Sequence, residues 1–441
     1  MLSSAIKNFF KRETPDEQPT WLIMLGIVSI VIYAFSRTGF MELASIASTI
    51  ATLTGLWGLY KYGKIVNSHI LFRFLWIAII IQLISWALSQ LITPEWAEDI
   101  PKLDKITRWF VFIPLAWWIA QYKNAIWFVW GSAALGVLVS PWVTGDGLNE
   151  IIQGINGQRI DFGIRNAQHT ALYFGSILVG LCCFAKPLYK KYKLSIIPIT
   201  FLIIYCLLVI YVNESRQAWL ALIVTLLAMS TYLVIKQLKK SSKKQQLAVI
   251  SIFFIGLASL TSMLINNEKI VDRVMAEKEA ISAVIALDFN NVPYSSFGVR
   301  LHSWMAATDF IKEKPFFGWG SNGKSLVMSH SESLPEWVRN GFGHLHNTYL
   351  EILVNYGIIG LLFYFSIWIV IGKTLLTEIK SERIEKEFGY IFASMFFFWT
   401  VMNCFESYQN FWTGVFYYNI FMAGIVATVW QSELATISKE N

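Results

Sequence analysis

Long apolar runs alternate with short polar segments along almost the whole chain. Runs of about 20 apolar residues have the length that an α-helix needs to cross a bilayer. Because backbone groups in lipid must bond within their own segment, such runs form helices. The pattern therefore predicts an all-α, polytopic membrane protein with about twelve transmembrane helices. We expect these at residues 21–36, 40–60, 70–92, 107–121, 125–143, 168–186, 194–212, 217–235, 247–265, 347–372, 388–405 and 411–430.

Composition supports the same class. The 441 residues are 55% hydrophobic and only 15% charged, whereas a soluble domain carries about a quarter charged residues. The net charge of +7 is compatible with nucleic-acid binding, but the basic residues cluster between the apolar runs. That placement indicates membrane topology, and we predict no nucleic-acid partner.

Lysine and arginine collect in every second loop, as around Lys190 and Lys240. The positive-inside rule assigns those loops to the cytoplasm. Both termini are then cytoplasmic, and one long loop lies on the outer side. The chain is thus predicted to have three parts: residues 1–265 with nine helices, the large outer loop at residues 266–346, and residues 347–441 with three helices and a cytoplasmic tail.

The long loop has some predicted structure of its own. Residues 271–287 and 299–311 are expected to form short helices, and the second ends before Pro315. Its spacing puts Trp304, Ala307 and Ile311 on one face. The glycine-rich stretch at residues 315–320 predicts a turn.

The outer loop ends in His344 and His346, which are followed directly by Asn347 and a span. From Asn347 the helical spacing puts Glu351 and Asn355 on the same face. A carboxylate one turn inside a span is costly unless it faces protein or water, which favours a functional role. The alternative is that His346 or Asn347 caps the helix and Glu351 meets an internal partner.

Four of the arginines on the predicted outer side are candidate ligand-binding residues. Arg216 opens the eighth span, Arg300 begins a loop helix, and Arg159 and Arg165 precede the sixth span. A guanidinium group binds phosphate oxygens through two parallel hydrogen bonds, and a nearby histidine can take a proton from a hydroxyl. Together they predict group transfer from a lipid-linked phosphate or pyrophosphate. The alternatives are a snorkelling Arg216 and solvated charges at Arg159 and Arg165.

The pair His344 and His346 has a spacing that is compatible with zinc. No acidic cluster and no HExxH motif lies beside it in the sequence. We therefore predict no metal.

Three motifs follow one another along the chain. The first, Arg216 to Leu220, has the form R-x3-L. The second, Arg300 to Trp304 followed by Pro315, Gly318 and Gly320, has the form R-x3-W…P-x2-G-x-G. The third, His346-Asn347, nine further residues and Gly357 to Gly360, has the form H-[NSQ]-x9-G-x-x-[GTY]. In this order they resemble the motifs of bacterial O-antigen ligases, which are related to O-antigen polymerases.

The resemblance implies a glycosyltransferase of the bacterial inner membrane that works at the periplasmic face without a metal or cofactor. A glycan would pass from undecaprenyl pyrophosphate to a sugar hydroxyl of lipid A–core, which completes lipopolysaccharide. By motif match, Arg216 and Arg300 hold the donor pyrophosphate, and His346 activates or orients the acceptor hydroxyl. Arg159 and Arg165 lie where family members often carry a donor-binding arginine. The expected supporting residues are His344, Asn347 and Trp304, together with Glu351 and Asn355. The last two are not part of the resemblance: they extend the face of His346 and are expected to orient the imidazole or to contact a sugar.

Three other functions stay open. An O-antigen polymerase joins repeat units on the same carrier and shares much of the loop pattern. A protein O-oligosaccharyltransferase is usually longer after the histidine. A transporter typically has paired inverted halves with broken helices at the membrane midplane, whereas the polar groups here collect at one rim.

Overall fold

The computed structural model describes residues 18–63, 69–239 and 275–440, together with residues 242, 245, 246, 251, 271 and 272. Within these residues the regular elements are helices, and there is no strand. The all-α prediction is therefore confirmed for the described part of the chain. The predicted ninth span at residues 247–265 lies outside the described residues except for residue 251.

The helices follow one another in the order predicted by the apolar runs. Their bounds are α1 Thr20–Ser36, α2 Met41–Tyr62, α3 Ile70–Ile92, α4 Asp104–Thr107, α5 Phe112–Ala120, α6 Ala125–Val143, α7 Leu148–Ile155, α8 Ala167–Lys191, α9 Ile196–Val212, α10 Arg216–Leu238, α11 Lys278–Ile285, α12 Ser296–Glu313, α13 Gly323–His330, α14 Glu336–Gly341, α15 Thr348–Lys380, α16 Lys386–Asn403 and α17 Trp412–Glu440. Eight helices of the described chain are long and apolar enough to cross a membrane. They are α2, α3, α6, α8, α9, α10, α15 and α17. The protein is thus a membrane protein by composition, while the full number of twelve crossings stays a prediction.

Apolar residues cover both the inside and part of the outside of this bundle. On α9, Ile197, Phe201 and Ile204 are 67%, 68% and 60% exposed and follow one another at helical spacing. Such a stripe is typical of a helix that faces lipid. In the interior, Trp399 and Trp430 are fully buried. Of the eight helices, α17 is the most buried and α10 the least.

The long loop forms a second, smaller core beside the bundle. It contains Trp319, Leu326 and Val338, and Trp304 packs against it. Helix α12 ends at Glu313, so the predicted helix and its end before the proline are confirmed. This part of the loop therefore forms a packed unit that rests on the first half of α15.

Helix α15 is broken at Gly357, which has φ +64° and ψ −166°. The turn at residues 315–320 lies against this break. The N–H groups of Trp319 and Gly320 donate to carbonyls on one side of it at 2.8 and 3.0 Å, and Pro315 accepts the N–H of Ile358 at 2.8 Å. The proline- and glycine-rich motif and the glycine pair in α15 are therefore two halves of one backbone contact. This contact fixes the loop unit to the bundle.

Replacing Gly357 by alanine should destabilise the protein. A Cβ atom there would lie 2.2 Å from the backbone of Phe316, and the backbone angles suit only glycine. We expect a loss of more than about 2 kcal/mol of stability, measured as a lower midpoint of thermal unfolding in detergent. The matched control is Gly131→Ala on α6, because a Cβ atom there meets nothing within 4 Å. Equal midpoints for the two variants would contradict the role given to this contact.

Candidate active site

The two histidines at the end of the long loop share one carboxylate, that of Glu406. Glu406 lies in the connection between α16 and α17. Its Oε1 atom is 3.3 Å from Nε2 of His344 and 3.4 Å from Nδ1 of His346. The centroids of the two imidazole rings lie 4.0 Å apart. Glu406 is buried, whereas both histidines keep part of their surface exposed. A buried anion thus faces two partly accessible imidazole rings.

The carboxyl group of Glu406 is held in its charged form. Burial raises its pKa, but the neighbouring imidazoles of His344 and His346 and the hydrogen bond from the N–H of Ser407 outweigh this and hold the pKa well below its usual range. The Ser407 N–H lies 2.9 Å from Oε1. The Nδ1 atom of His346 is buried, lies 3.4 Å from this anion and makes no hydrogen bond of good geometry among the described residues. A hydrogen on Nδ1 would face the carboxylate and leave Nε2 as an acceptor.

The backbone at His346 is strained, with φ at +51°. The residue before it is held at both ends. The N–H of Leu345 donates to Glu351 at 2.9 Å, and its carbonyl accepts the indole N–H of Trp304 at 2.8 Å. Asn347 caps α15 by accepting two N–H groups of the first turn at 3.0 and 3.1 Å. Strain that is maintained by surrounding contacts is typical of functional sites.

Glu351 holds the backbone segments that carry His346 and Glu406. Besides the N–H of Leu345, it accepts the hydroxyl of Ser407 at 2.6 Å and the side-chain amide of Asn410. It therefore ties the histidine loop to the connection that carries Glu406. The sequence suggested that Glu351 and Asn355 orient the imidazole. In the structure Glu406 faces the imidazoles, and Asn355 accepts the N–H of Lys324 at 3.0 Å.

Gln168, on α8, links Glu406 to Arg300. When its amide is oriented so that both atoms meet complementary partners, its nitrogen donates to Oε2 of Glu406 at 2.5 Å. Its oxygen then accepts from Arg300 at 3.2 Å. The Tyr408 hydroxyl supports this arrangement by donating to the backbone carbonyl of Gln168 at 3.1 Å. His346, Glu406, Gln168 and Arg300 thus form one connected row.

The electrostatics of Arg300 show that several arginines share this space. Burial lowers the pKa of Arg300, the charge of Glu406 raises it, the charges of Arg216 and Arg159 lower it, and the charge of Glu277 raises it. Its Nε atom is buried and has no hydrogen-bond partner among the described residues. Buried donors of this kind normally have a partner. Three arginines outnumber the two carboxylates here, and one arginine donor is unpaired, so an anionic group suits this place.

Arg216 begins α10 and lies at the rim of the same space. Its Nη2 atom is 3.4 Å from Oε1 of Glu277, and the Arg216 side chain is 44% exposed. Glu277 also accepts the hydroxyl of Ser295. Glu277 is buried, whereas the guanidinium group of Arg216 keeps part of its surface exposed. That exposed part is accessible to a phosphate.

The other two predicted arginines are placed differently. The Nε atom of Arg159 donates to the carbonyl of Asn213 at 3.4 Å, and its charge reaches Arg300. The guanidinium group of Arg165 lies over the ring of Phe411 at 3.7 Å. Phe411 also lies edge-on to His344, with ring centroids 5.3 Å apart. Arg159 thus faces the arginine cluster, while Arg165 borders the histidines through an aromatic ring.

Comparison with known proteins adds the family to this geometry. The family model described as O-antigen ligase matches residues 201–365. Residues 201–365 therefore match the O-antigen ligase domain, and the resemblance predicted from the motifs is confirmed over that range.

A protein of Haemophilus influenzae that bears no functional description is 26% identical over 258 residues, which are 57% of this chain and 61% of that relative. The chain therefore spans less than two thirds of the length of this curated relative.

Two members of the connected row lie outside the O-antigen ligase domain and were missed by sequence reasoning. Gln168 precedes the domain, and Glu406 follows it. A signal for Glu406 was present, because it is a carboxylate in a short connection between two apolar runs on the predicted outer side. Gln168 lies next to His169 at the start of a span, and no comparable pattern marks it.

Two members of the row, together with His344, also offer ligands for a divalent metal. One nitrogen each of His344 and His346 and a carboxylate oxygen of Glu406 lie within 4.8 Å of one another. Zinc binds such a set of three protein ligands. The sequence has no acidic cluster and no HExxH motif beside the histidines, but the fold brings the carboxylate of Glu406 to them from the connection between α16 and α17. The absence of a metal stays a prediction. Metal binding and proton transfer would use the same side chains, so they are separated by measuring activity after removal of metal.

Proposed function

We propose that this protein transfers a glycan from undecaprenyl pyrophosphate to a sugar hydroxyl of lipid A–core at the periplasmic face of the bacterial inner membrane. The observation that supports this most is the connected row from His346 through Glu406 and Gln168 to Arg300. It joins a candidate base to a candidate pyrophosphate site in a protein with an O-antigen ligase domain. Completed lipopolysaccharide is the product.

Arg300 and Arg216 hold the donor. Each guanidinium group can bind two phosphate oxygens and stays charged. When the bond between the anomeric carbon and the pyrophosphate oxygen breaks, its electron pair remains on the pyrophosphate. Fixed cations stabilise that growing charge, and one such donor is typically worth about 3 kcal/mol. Two arginines therefore suffice without a metal in this proposal.

His346 acts on the acceptor. Its Nε2 atom takes the proton of the acceptor hydroxyl while the hydroxyl oxygen forms the new bond to the anomeric carbon. Glu406 accepts a hydrogen bond from the Nδ1–H group and stabilises the imidazolium that results. The 3.4 Å separation of this pair is long for a hydrogen bond, and catalytic contacts of this kind commonly tighten when substrate binds. Glu406 is therefore a positioning residue in this scheme.

Deletion of the gene in its native host distinguishes the ligase from the polymerase. Loss of a ligase leaves unsubstituted lipid A–core while long glycan chains accumulate on the carrier. Loss of a polymerase leaves core that carries a single repeat unit, and that result would contradict the ligase proposal. Transfer by the purified protein in detergent, with no membrane gradient, further separates an enzyme from a transporter.

Removal of metal should leave glycan transfer unchanged. In the proposed reaction His344, His346 and Glu406 act as a hydrogen-bonded group, with no metal between them. We expect protein treated with EDTA and then transferred to metal-free buffer to keep its initial transfer rate. Added zinc should inhibit, because it occupies the atoms of His346 and Glu406 that the reaction needs. Loss of activity on chelation, with recovery on adding zinc, would show that the metal-independent reaction is wrong.

A further inference from the structure

The two carboxylate oxygens of Glu351 meet different partners. Oε1 accepts the N–H of Leu345 at 2.9 Å and the hydroxyl of Ser407 at 2.6 Å. Leu345 directly precedes His346, whose φ of +51° is maintained by the contacts around it. Oε1 therefore fixes the backbone that carries the candidate base. Glu351 is 2% exposed, so these hydrogen bonds are shielded from water.

The other oxygen, Oε2, faces Lys324 of α13. The Nζ atom of Lys324 lies 3.8 Å away, and 19% of the lysine side chain is exposed. In the described part of the chain, this is the only cation within 4.0 Å of Glu351. Oε2 also accepts the side-chain amide of Asn410, a neutral donor that leaves the negative charge in place. A single lysine therefore balances this buried carboxylate at close range.

Lys324 is itself held in place by α15. Its backbone N–H donates to Oδ1 of Asn355 at 3.0 Å, one turn beyond Glu351 on the same helix. Burial lowers the pKa of Lys324, the charge of Glu351 raises it, and the charges of Lys105 and Arg108 lower it. The adjoining cavity of about 140 Å³ is lined by two lysines and two carboxylates. The pair is thus compensated within the protein and needs no bound ion.

We propose that Lys324 is a positioning residue for glycan transfer, which holds His346 in its strained conformation through the charge of Glu351. That His346 is the base rests on the proposed function. Without the lysine, a buried carboxylate with no close cation is strongly unfavourable. We expect the carboxylate then to turn towards the adjoining cavity, where water reaches it. That rotation breaks the two hydrogen bonds at Oε1 and releases the backbone before His346.

The first test is the transfer kinetics of the full-length protein in detergent. Lys324→Met should lower kcat by about tenfold to a hundredfold, since small displacements of a reacting group have effects of this size. KM for the carrier-linked donor should stay unchanged. Lys324→Arg keeps the charge, and the cavity has room for the larger group, so most of the rate should be retained. Lys312→Met changes an exposed lysine of α12 and should match the wild type. A normal kcat for Lys324→Met would overturn the inference.

A double variant tests whether Lys324 acts through Glu351. Glu351→Gln keeps an acceptor oxygen for Leu345 and Ser407 but removes the charge that the lysine balances. In this background Lys324→Met should cause no further loss of kcat. A further loss as large as that of the single lysine variant would mean that Lys324 acts by another route, and would contradict the inference. The comparison stays decisive if Lys324→Met alone does not fold, because the double variant buries no unpaired charge.

A readout that does not need transfer separates this inference from the proposed function. Diethyl pyrocarbonate modifies histidine side chains, and tandem mass spectrometry gives the rate at each histidine. In Lys324→Met the rate at His346 should rise by about threefold or more, because a loosened loop exposes its imidazole. The rate at His330, on the same helix as Lys324, should stay unchanged. A raised rate at His346 in a protein without transfer activity would refute the proposed function alone. An unchanged rate, with normal transfer by the wild type, would refute this inference alone.

Discussion

We expect His346→Ala to lower the rate of glycan transfer by about a hundredfold or more, since a positioned base contributes this much in typical cases. The imidazole keeps part of its surface exposed, so its removal should leave expression and thermal unfolding unchanged. The measurement is the initial rate at which purified protein joins carrier-linked glycan to lipid A–core. The matched control is His330→Ala, which changes an exposed histidine at the end of α13 in the same loop. Near-normal product from the His346 variant would remove this residue from the mechanism.

A double variant tests whether Glu406 acts through His346. Glu406→Gln keeps the size of the side chain but loses its charge, so transfer should fall. If Glu406 only positions and stabilises the imidazole, adding this change to His346→Ala should cause little further loss. Additive losses would indicate that Glu406 has an independent role, such as direct contact with substrate.

We expect Arg300→Lys to lower transfer by about tenfold to a hundredfold, because lysine keeps the charge but loses the planar fork. The fork has two uses in this site. One nitrogen bonds to Gln168 at 3.2 Å, and the buried Nε atom has no partner among the described residues and can bind a phosphate oxygen. A lysine ammonium group cannot bond to Gln168 and to a phosphate oxygen in these two directions at once. The measurement is kcat and KM for the carrier-linked donor, with the main loss expected in kcat.

The same substitution at another arginine provides the control. Arg37→Lys changes a guanidinium group that lies over the ring of Trp412 at 4.9 Å, a contact that lysine can also make. Its transfer rate should match the wild type. Arg216→Lys should be impaired like Arg300→Lys. If the lysine variants at Arg216 and Arg300 both worked normally, bidentate phosphate binding would be the wrong account of these residues.

Much of the fold could be predicted because lipid imposes simple rules. Apolar run length identified α1–α3, α5, α6, α8–α10 and α15–α17, and helical periodicity identified α12 with its end before Pro315. The short helices α4, α7, α13 and α14 were not predicted. The break in α15 could not be predicted, although its glycines were recognised as part of a motif. The reason is that Gly357 adopts its angles only because the turn at residues 315–320 supplies partners for the opened backbone. That pairing depends on tertiary structure.

The site was predicted in part. His346, Arg300 and Arg216 were each identified from local motifs, and Asn347 was identified as a possible cap. Glu406 and Gln168 were missed, since they join these residues through the packing of α8 and α16 and through no sequence spacing.

The central claim is that the pyrophosphate is held by Arg300 and Arg216 beside His346. An electron cryo-microscopy structure with an undecaprenyl-pyrophosphate-linked glycan bound tests this most directly. We predict phosphate density within hydrogen-bond distance of both guanidinium groups, with the anomeric carbon facing His346. Phosphate density at other cations, such as Lys324 and Lys105, while Arg300 and Arg216 make no contact with it, would contradict the account.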